Sequence, residues 1–211
     1  GTLSGSISDS SEEEFEAIRK ANNTVLTMLT AEEKYDFIIE NYLELEETLL
    51  SETLSSMVLG DYDADWFNKA RNRFDRRIFN LVSACSGYVD FAKHCAKDLG
   101  DMNLLNIECS RLYDQHFAYR VMQGLRNFVL HQGLVCDLVT YSRRREDLPN
   151  DDFALRYAIP DIAISGNRLS ESTKIKKELL AEIEGRGGKV SLVPLIREYV
   201  GHLSQIHVFL R

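Results

Sequence analysis

From Asp65 to Leu99 the apolar residues Phe67, Ala70, Phe74, Ile78, Leu81, Cys85, Tyr88, Ala92, Cys95 and Leu99 recur at intervals of three and four. A seam kept over more than four heptads fits an α-helix whose stripe needs a long partner, packed antiparallel or as in a coiled coil. Gly100 and Asp101 supply a turn, and Met102 to Gln132 repeats the helical pattern, so the two segments are expected to form a helical hairpin. At 1.5 Å per residue that hairpin is roughly 45–50 Å long. The chain reads as mainly α.

The flanking segments extend this reading. Asp9 or Ser10, followed by Glu12, Glu13 and Glu14, is a suitable start for a first helix reaching about Met28. Thr30 with Glu33 matches a capping box opening a second helix, Ala31 to about Val58, and Gly60-Asp-Tyr-Asp breaks it. After Gly133 the period changes. Leu134 to Arg143 is β-branched and aromatic, Phe153 to Pro160 alternates in part, and a polar loop with Pro149 lies between. A β-hairpin is expected at about 134–160, with Pro160 at an edge or strand end. A helix from Ser170 or Ser172 to about Ile183 is stopped by Gly185, Gly187 and Gly188. A last one, Leu195 to Phe209, follows Pro194. Residues 1–10 are Gly/Ser/Thr-rich and expected to be flexible, and 11–211 read as a single helical domain.

The 211 residues, 44% hydrophobic and 27% charged, have the composition of a globular protein with a proper core. No apolar run approaches the roughly 18 residues of a membrane span, and no charged-then-apolar leader is visible. A cytoplasmic protein without a membrane partner is expected. Cys85, Cys95, Cys109 and Cys136 show no CxxC spacing and are expected to be reduced core residues. The net charge of −8 argues against a general nucleic-acid binder. Its distribution is uneven, however: residues 1–65 hold 16 acidic and 3 basic side chains, residues 66–211 hold 17 acidic and 22 basic. The second half therefore has the sign an RNA-contacting surface needs.

Arg126, Asn127 and His131 stand just before Gly133, at the end of the second hairpin helix. Asn127 and His131 are four apart and share one row of the helix. Arg126 lies about 140° round from His131 but carries a long side chain. One reading gives these residues only local duties: Arg126 pairing with acidic neighbours, Asn127 bonding a loop, His131 favouring the helix terminus.

Arg126-Asn-Phe-Val-Leu-His131, with Phe117 to Leu125 before it and Gln132-Gly-Leu after it, resembles the Arg-polar-x3-His motif helix of the HEPN superfamily (higher eukaryotes and prokaryotes nucleotide-binding). Arg77-Ile-Phe-Asn80-Leu-Val-Ser-Ala84 resembles the helix packed against it in that family. The similarity covers roughly residues 65–135. It implies an up-and-down helical bundle, into which the β-hairpin read at about 134–160 would be a small insertion, and a metal-independent endoribonuclease whose composite site forms in a homodimer. It also implies a toxin or phage-defence role, with an antitoxin protein as a further partner.

In that chemistry His131 acts as general base on a ribose 2′-hydroxyl or as general acid to the leaving oxygen. Arg126 holds the scissile phosphate, and Asn127 orients His131 or bonds a phosphate oxygen. The alternative is a non-catalytic HEPN module that binds a nucleotide or partner protein.

Lys69, Arg71, Arg73, Arg76 and Arg77 crowd the start of the Asp65–Leu99 helix, and Arg143, Arg144 and Arg145 lie in the hairpin. If they border the Arg126/His131 groove, Arg73, Arg76, Arg77, Asn80, Arg143 and Arg144 are the candidate RNA-phosphate contacts; otherwise they form solvated faces. His94, His116, His202 and His207 match no metal-ligand spacing with supporting acids, so no metal and no cofactor is expected. Walker, GxGxxG, GxSxG and HExxH patterns are absent from the sequence.

Overall fold

The computed structural model describes residues 11–59, 64–100, 102–131, 133–147 and 154–211. The start at 1–10 expected to be flexible, the breaker expected at Gly60-Asp-Tyr-Asp and residues 148–153 of the expected polar loop lie outside the described residues, as do Asp101 and Gln132. Seven helices and three strands are described: α1 (Glu12–Leu59), α2 (Ala64–Leu99), α3 (Met102–Gln115), α4 (Phe117–His131), β1 (Leu138–Asp147), β2 (Ala154–Ser165), α5 (Gly166–Ser170), α6 (Lys177–Gly185), β3 (Lys189–Ser191) and α7 (Leu192–Leu210). No helix among them is long and apolar enough to cross a membrane.

The two helices expected before residue 60 are one. Thr30 does not cap; its hydroxyl donates back to the Leu26 carbonyl at 3.0 Å, which a threonine inside a helix can do. Neither glycine nor proline interrupts this region, and Ala31, Ile38 and Leu45 are buried at a seven-residue interval straight past the expected junction. The capping box sits at the true start instead. Ser11 accepts from the Glu14 amide at 3.2 Å, while the Glu14 carboxylate accepts from the Ser11 amide at 3.0 Å. Residues 11–26 are exposed throughout, including Phe15, Ile18, Val25 and Leu26.

The α2 helix takes the expected seam to the core from Ala70 to Cys95, with Phe74, Ile78, Leu81 and Tyr88 fully buried, while its two ends, Phe67 and Leu99, are exposed. It runs antiparallel to α1: Arg73 pairs with Glu52, Arg77 with Glu44, and Lys34 lies over the Phe91 ring. The expected 102–132 helix is broken at His116. There Arg120 donates to the carbonyls of Tyr113 (2.8 Å) and Asp114 (2.9 Å) and grips both oxygens of Glu182 on α6. A guanidinium serving the last carbonyls of α3 replaces continuous helix at that joint.

The hairpin forms as expected, β1 pairing antiparallel with β2, but its second strand runs on to Ser165 and gains a short third strand, β3. Pro160 lies well inside β2. The Ala158 amide points to Ser56 of α1, at 2.7 Å, and not to β1. Two residues on, the Pro160 nitrogen faces the same way, so no β1 ladder bond is lost. Because β3 pairs only with Ala163 to Ser165, this part of β2 is an edge among strands, covered by α1. The final helix buries Ile196, Tyr199, Val200, Leu203 and Ile206 against the bundle, with Pro194 in its first turn as expected. All four cysteines are buried free thiols.

Candidate functional site

The α4 helix forms because Val121, Leu125, Phe128 and Val129 fall on one side and are buried. Gly133 ends this stretch at φ +136°, a conformation open to glycine. The chain is then tied to α2. The buried Asp75 carboxylate accepts from the amides of Val135 (2.9 Å) and Cys136 (2.7 Å) through one oxygen. Burial and the nearby Asp75 push the Cys136 thiol far up, out of thiolate chemistry.

Consecutive residues on a helix point about 100° apart, and α4 uses that angle to separate its two polar groups. Arg126 turns to α2 and donates to Asp90 at 2.5 Å. Its charge also opposes the strong upward push that burial gives the Tyr199 phenol. Asn127 turns to the segment before α6, where it lines a cleft of about 90 Å³ with Gln123, Arg120, Lys174 and Lys176. Gly124 lets that segment approach: a Cβ there would meet Leu179 at 3.1 Å and Ile175 at 3.2 Å. Lys176 is held over the Tyr113 ring, 4.4 Å from its centroid. Arg168 lies over the Phe128 ring, 5.5 Å from its centroid, and reaches toward Gly133. The backbone of His131 closes α4; its side chain lies outside the described residues.

The candidate phosphate contacts are dispersed. Arg73 reaches the buried Glu52 at 2.7 Å, and Arg77 pairs with Glu44. Asn80 is exposed and follows Arg73 by seven residues and Arg77 by three. It therefore shares their α1-facing row, not the side that carries Asp75 and Asp90 to α4. Arg76 is exposed on α2, and Arg143 and Arg144 are exposed on alternate faces of β1. Arg143 shares the face of Tyr141, which packs on Trp66 (4.8 Å) and Phe67 (5.3 Å) at the start of α2.

Cations missed in the sequence border Asn127: Arg120 from the same helix, and Lys174 and Lys176 from a segment some 50 residues away in the chain. Asp75 and Asp90 were also missed, since an acid within a basic helix carries no sign of the amide or guanidinium it will meet. The fold further gathers His116, Glu198 and His202, whose ligand atoms lie within 4.8 Å of one another. His207 is a satisfied core histidine, bonded to Tyr88 (3.0 Å) and Glu32 (3.2 Å) and stacked on Tyr35.

No protein-family model, no curated protein and no solved structure matches this chain.

Proposed function

We propose that this chain is a HEPN-type, metal-independent endoribonuclease, cytoplasmic and homodimeric, acting as a toxin or in phage defence with an antitoxin partner. The observation that carries the reading is the end of α4. There Arg126 keeps a partly exposed guanidinium, and Asn127 opens on a cleft rimmed by Arg120, Lys174 and Lys176. A polyanion finds several cations there, beside an amide that hydrogen-bonds phosphate oxygens. His131, one turn beyond Asn127, supplies the imidazole that takes the 2′-hydroxyl proton or returns one to the leaving oxygen.

The exposed Phe79 lies eleven residues before Asp90, on nearly the same row of α2, and the exposed Leu134 follows α4. Both offer apolar area for the second subunit that would complete a composite cleft.

The binding-module reading has its own support. Arg126 is paired with Asp90 and points away from the Asn127 cleft, an arrangement that suits holding a nucleotide in the cleft without turnover.

The deciding experiment incubates labelled RNA and the matching DNA with the protein in EDTA. The ribonuclease reading expects RNA fragments ending in 2′,3′-cyclic phosphate, intact DNA, and no cleavage by Arg126→Ala or His131→Ala. Saturable nucleotide binding with uncut RNA assigns the module instead.

A further inference from the structure

His116 stands at the joint between α3 and α4, and Glu198 and His202 lie one turn apart on α7. One carboxylate oxygen, Glu198 Oε1, is 3.4 Å from His116 Nδ1 and 3.3 Å from His202 Nε2. The two imidazoles are 4.0 Å apart between centroids. The His202–Glu198 contact is a long hydrogen bond, and both separations are close to the edge of a tetrahedron around zinc, about 3.3–3.4 Å for metal–ligand bonds of roughly 2.0–2.1 Å. All three ligand atoms lie within 4.8 Å of one another.

Two further observations agree, and His202 is itself only 7% exposed, so an ion on its ring is shielded from bulk water. Among the described residues no lysine or arginine pairs with Glu198; its ionic contacts are the two histidines. His116 and Glu198 stay partly open to water, which gives an ion a way in and a solvent ligand for the remaining position.

We propose that His116, Glu198 and His202 bind one zinc-class divalent transition-metal ion. Two imidazoles and one carboxylate are a donor set such an ion takes, with the hard alkaline-earth cations disfavoured by the nitrogens. The ion clamps the α3–α4 joint to α7 and so fixes the direction in which α4 leaves that joint. It lies about 20 Å along α4 from His131, fifteen residues at 1.5 Å each. It therefore stands apart from the chemistry proposed for that end.

The test titrates Zn²⁺ into chelator-stripped full-length protein by calorimetry and follows the melting temperature. One ion per chain and a rise in melting temperature are expected. His116→Ala and Glu198→Gln change partly exposed side chains and should fold, as circular dichroism will verify. Each is expected to weaken binding at least as much as loss of an outer-shell partner does, about 10–100-fold, and to abolish the thermal shift. His94→Ala, at an exposed pair with Asp98, should bind as the wild type does. Failure of the stripped protein to take up Zn²⁺, or equal uptake by both site variants, overturns the proposal.

Discussion

Arg126 Nη2 lies 2.5 Å from Asp90 Oδ2, joining α4 to α2 at the surface. Both side chains keep substantial contact with water, so the pair contributes at most about 1 kcal/mol to stability. Its larger effect is on direction, since it holds the guanidinium against α2. Asp90→Asn is expected to leave the melting temperature nearly unchanged and to tighten RNA binding roughly threefold, because a competing anion is gone. Arg126→Ala is expected to weaken binding roughly tenfold, about 1.4 kcal/mol. Fluorescence anisotropy with a short RNA at two salt concentrations reads both effects. Equal affinities for all three proteins would remove Arg126 from the proposed RNA surface.

Asp75 is the second link between α2 and the end of α4, and it acts inside the protein. One of its oxygens satisfies two buried amides, those of Val135 and Cys136. Asp75→Ala leaves both unpaired, which costs about 3 kcal/mol at 1–3 kcal/mol per buried group. Asp75→Asn keeps an acceptor in place and should cost less than half of that. Urea unfolding separates the two variants. Equal losses would show that the carboxylate's charge matters here and not its geometry.

What was legible in the sequence follows from how local each signal is. The α2 seam, the α7 stripe and the strand pattern are carried by each segment itself, and the elements formed; but the long partner of the seam is α1 and not the expected 102–132 helix, and Pro160 lies inside its strand. Thr30 misled because Thr-x-x-Glu looks the same at a helix start and inside a helix; only the continuous burial of Ala31 and Ile38 distinguishes them. The break at His116 was illegible because it depends on Arg120 meeting Glu182, 62 residues away. For the same reason Arg73 and Arg77 read as free cations until α1 supplied Glu52 and Glu44. Arg126 and Asn127 were visible, but the Lys174 and Lys176 rim of the cleft was not.

Ser56 gives a sharp test of the contact between α1 and the sheet. Its hydroxyl accepts the Ala158 amide at 2.7 Å on the stretch of the β2 edge that β3 does not reach. Ser56→Ala leaves that buried N–H without an acceptor and should cost about 1–3 kcal/mol. Amide exchange at Ala158 is expected to accelerate more than at Ile164, which faces β3. Uniform acceleration along β2 would instead indicate general loosening of α1.

The pH dependence of stability should contain two contributions of opposite sign. Hydrogen bonds from Arg120 hold Glu182 below the ordinary carboxylate range, and those from Arg197 do the same to Glu46. Their contribution is present above the ordinary carboxylate pKa and is lost as pH falls through the lowered folded value. Glu52 behaves conversely. Burial raises its pKa despite Arg73 at 2.7 Å, so it favours the folded state when protonated, and that advantage fades as pH rises through the raised value. Glu182→Gln should therefore flatten the acid limb of a urea-stability profile, while Glu52→Gln should flatten the limb just above the carboxylate range. Arg73→Ala leaves the Glu52 charge buried without its partner. The expected loss at neutral pH is about 2 kcal/mol, below the 3–5 kcal/mol of a fully buried pair because Arg73 is half in water. In the Arg73→Ala, Glu52→Gln double variant most of that loss should disappear. If it persists, the damage comes from the lost arginine packing and not from a stranded carboxylate.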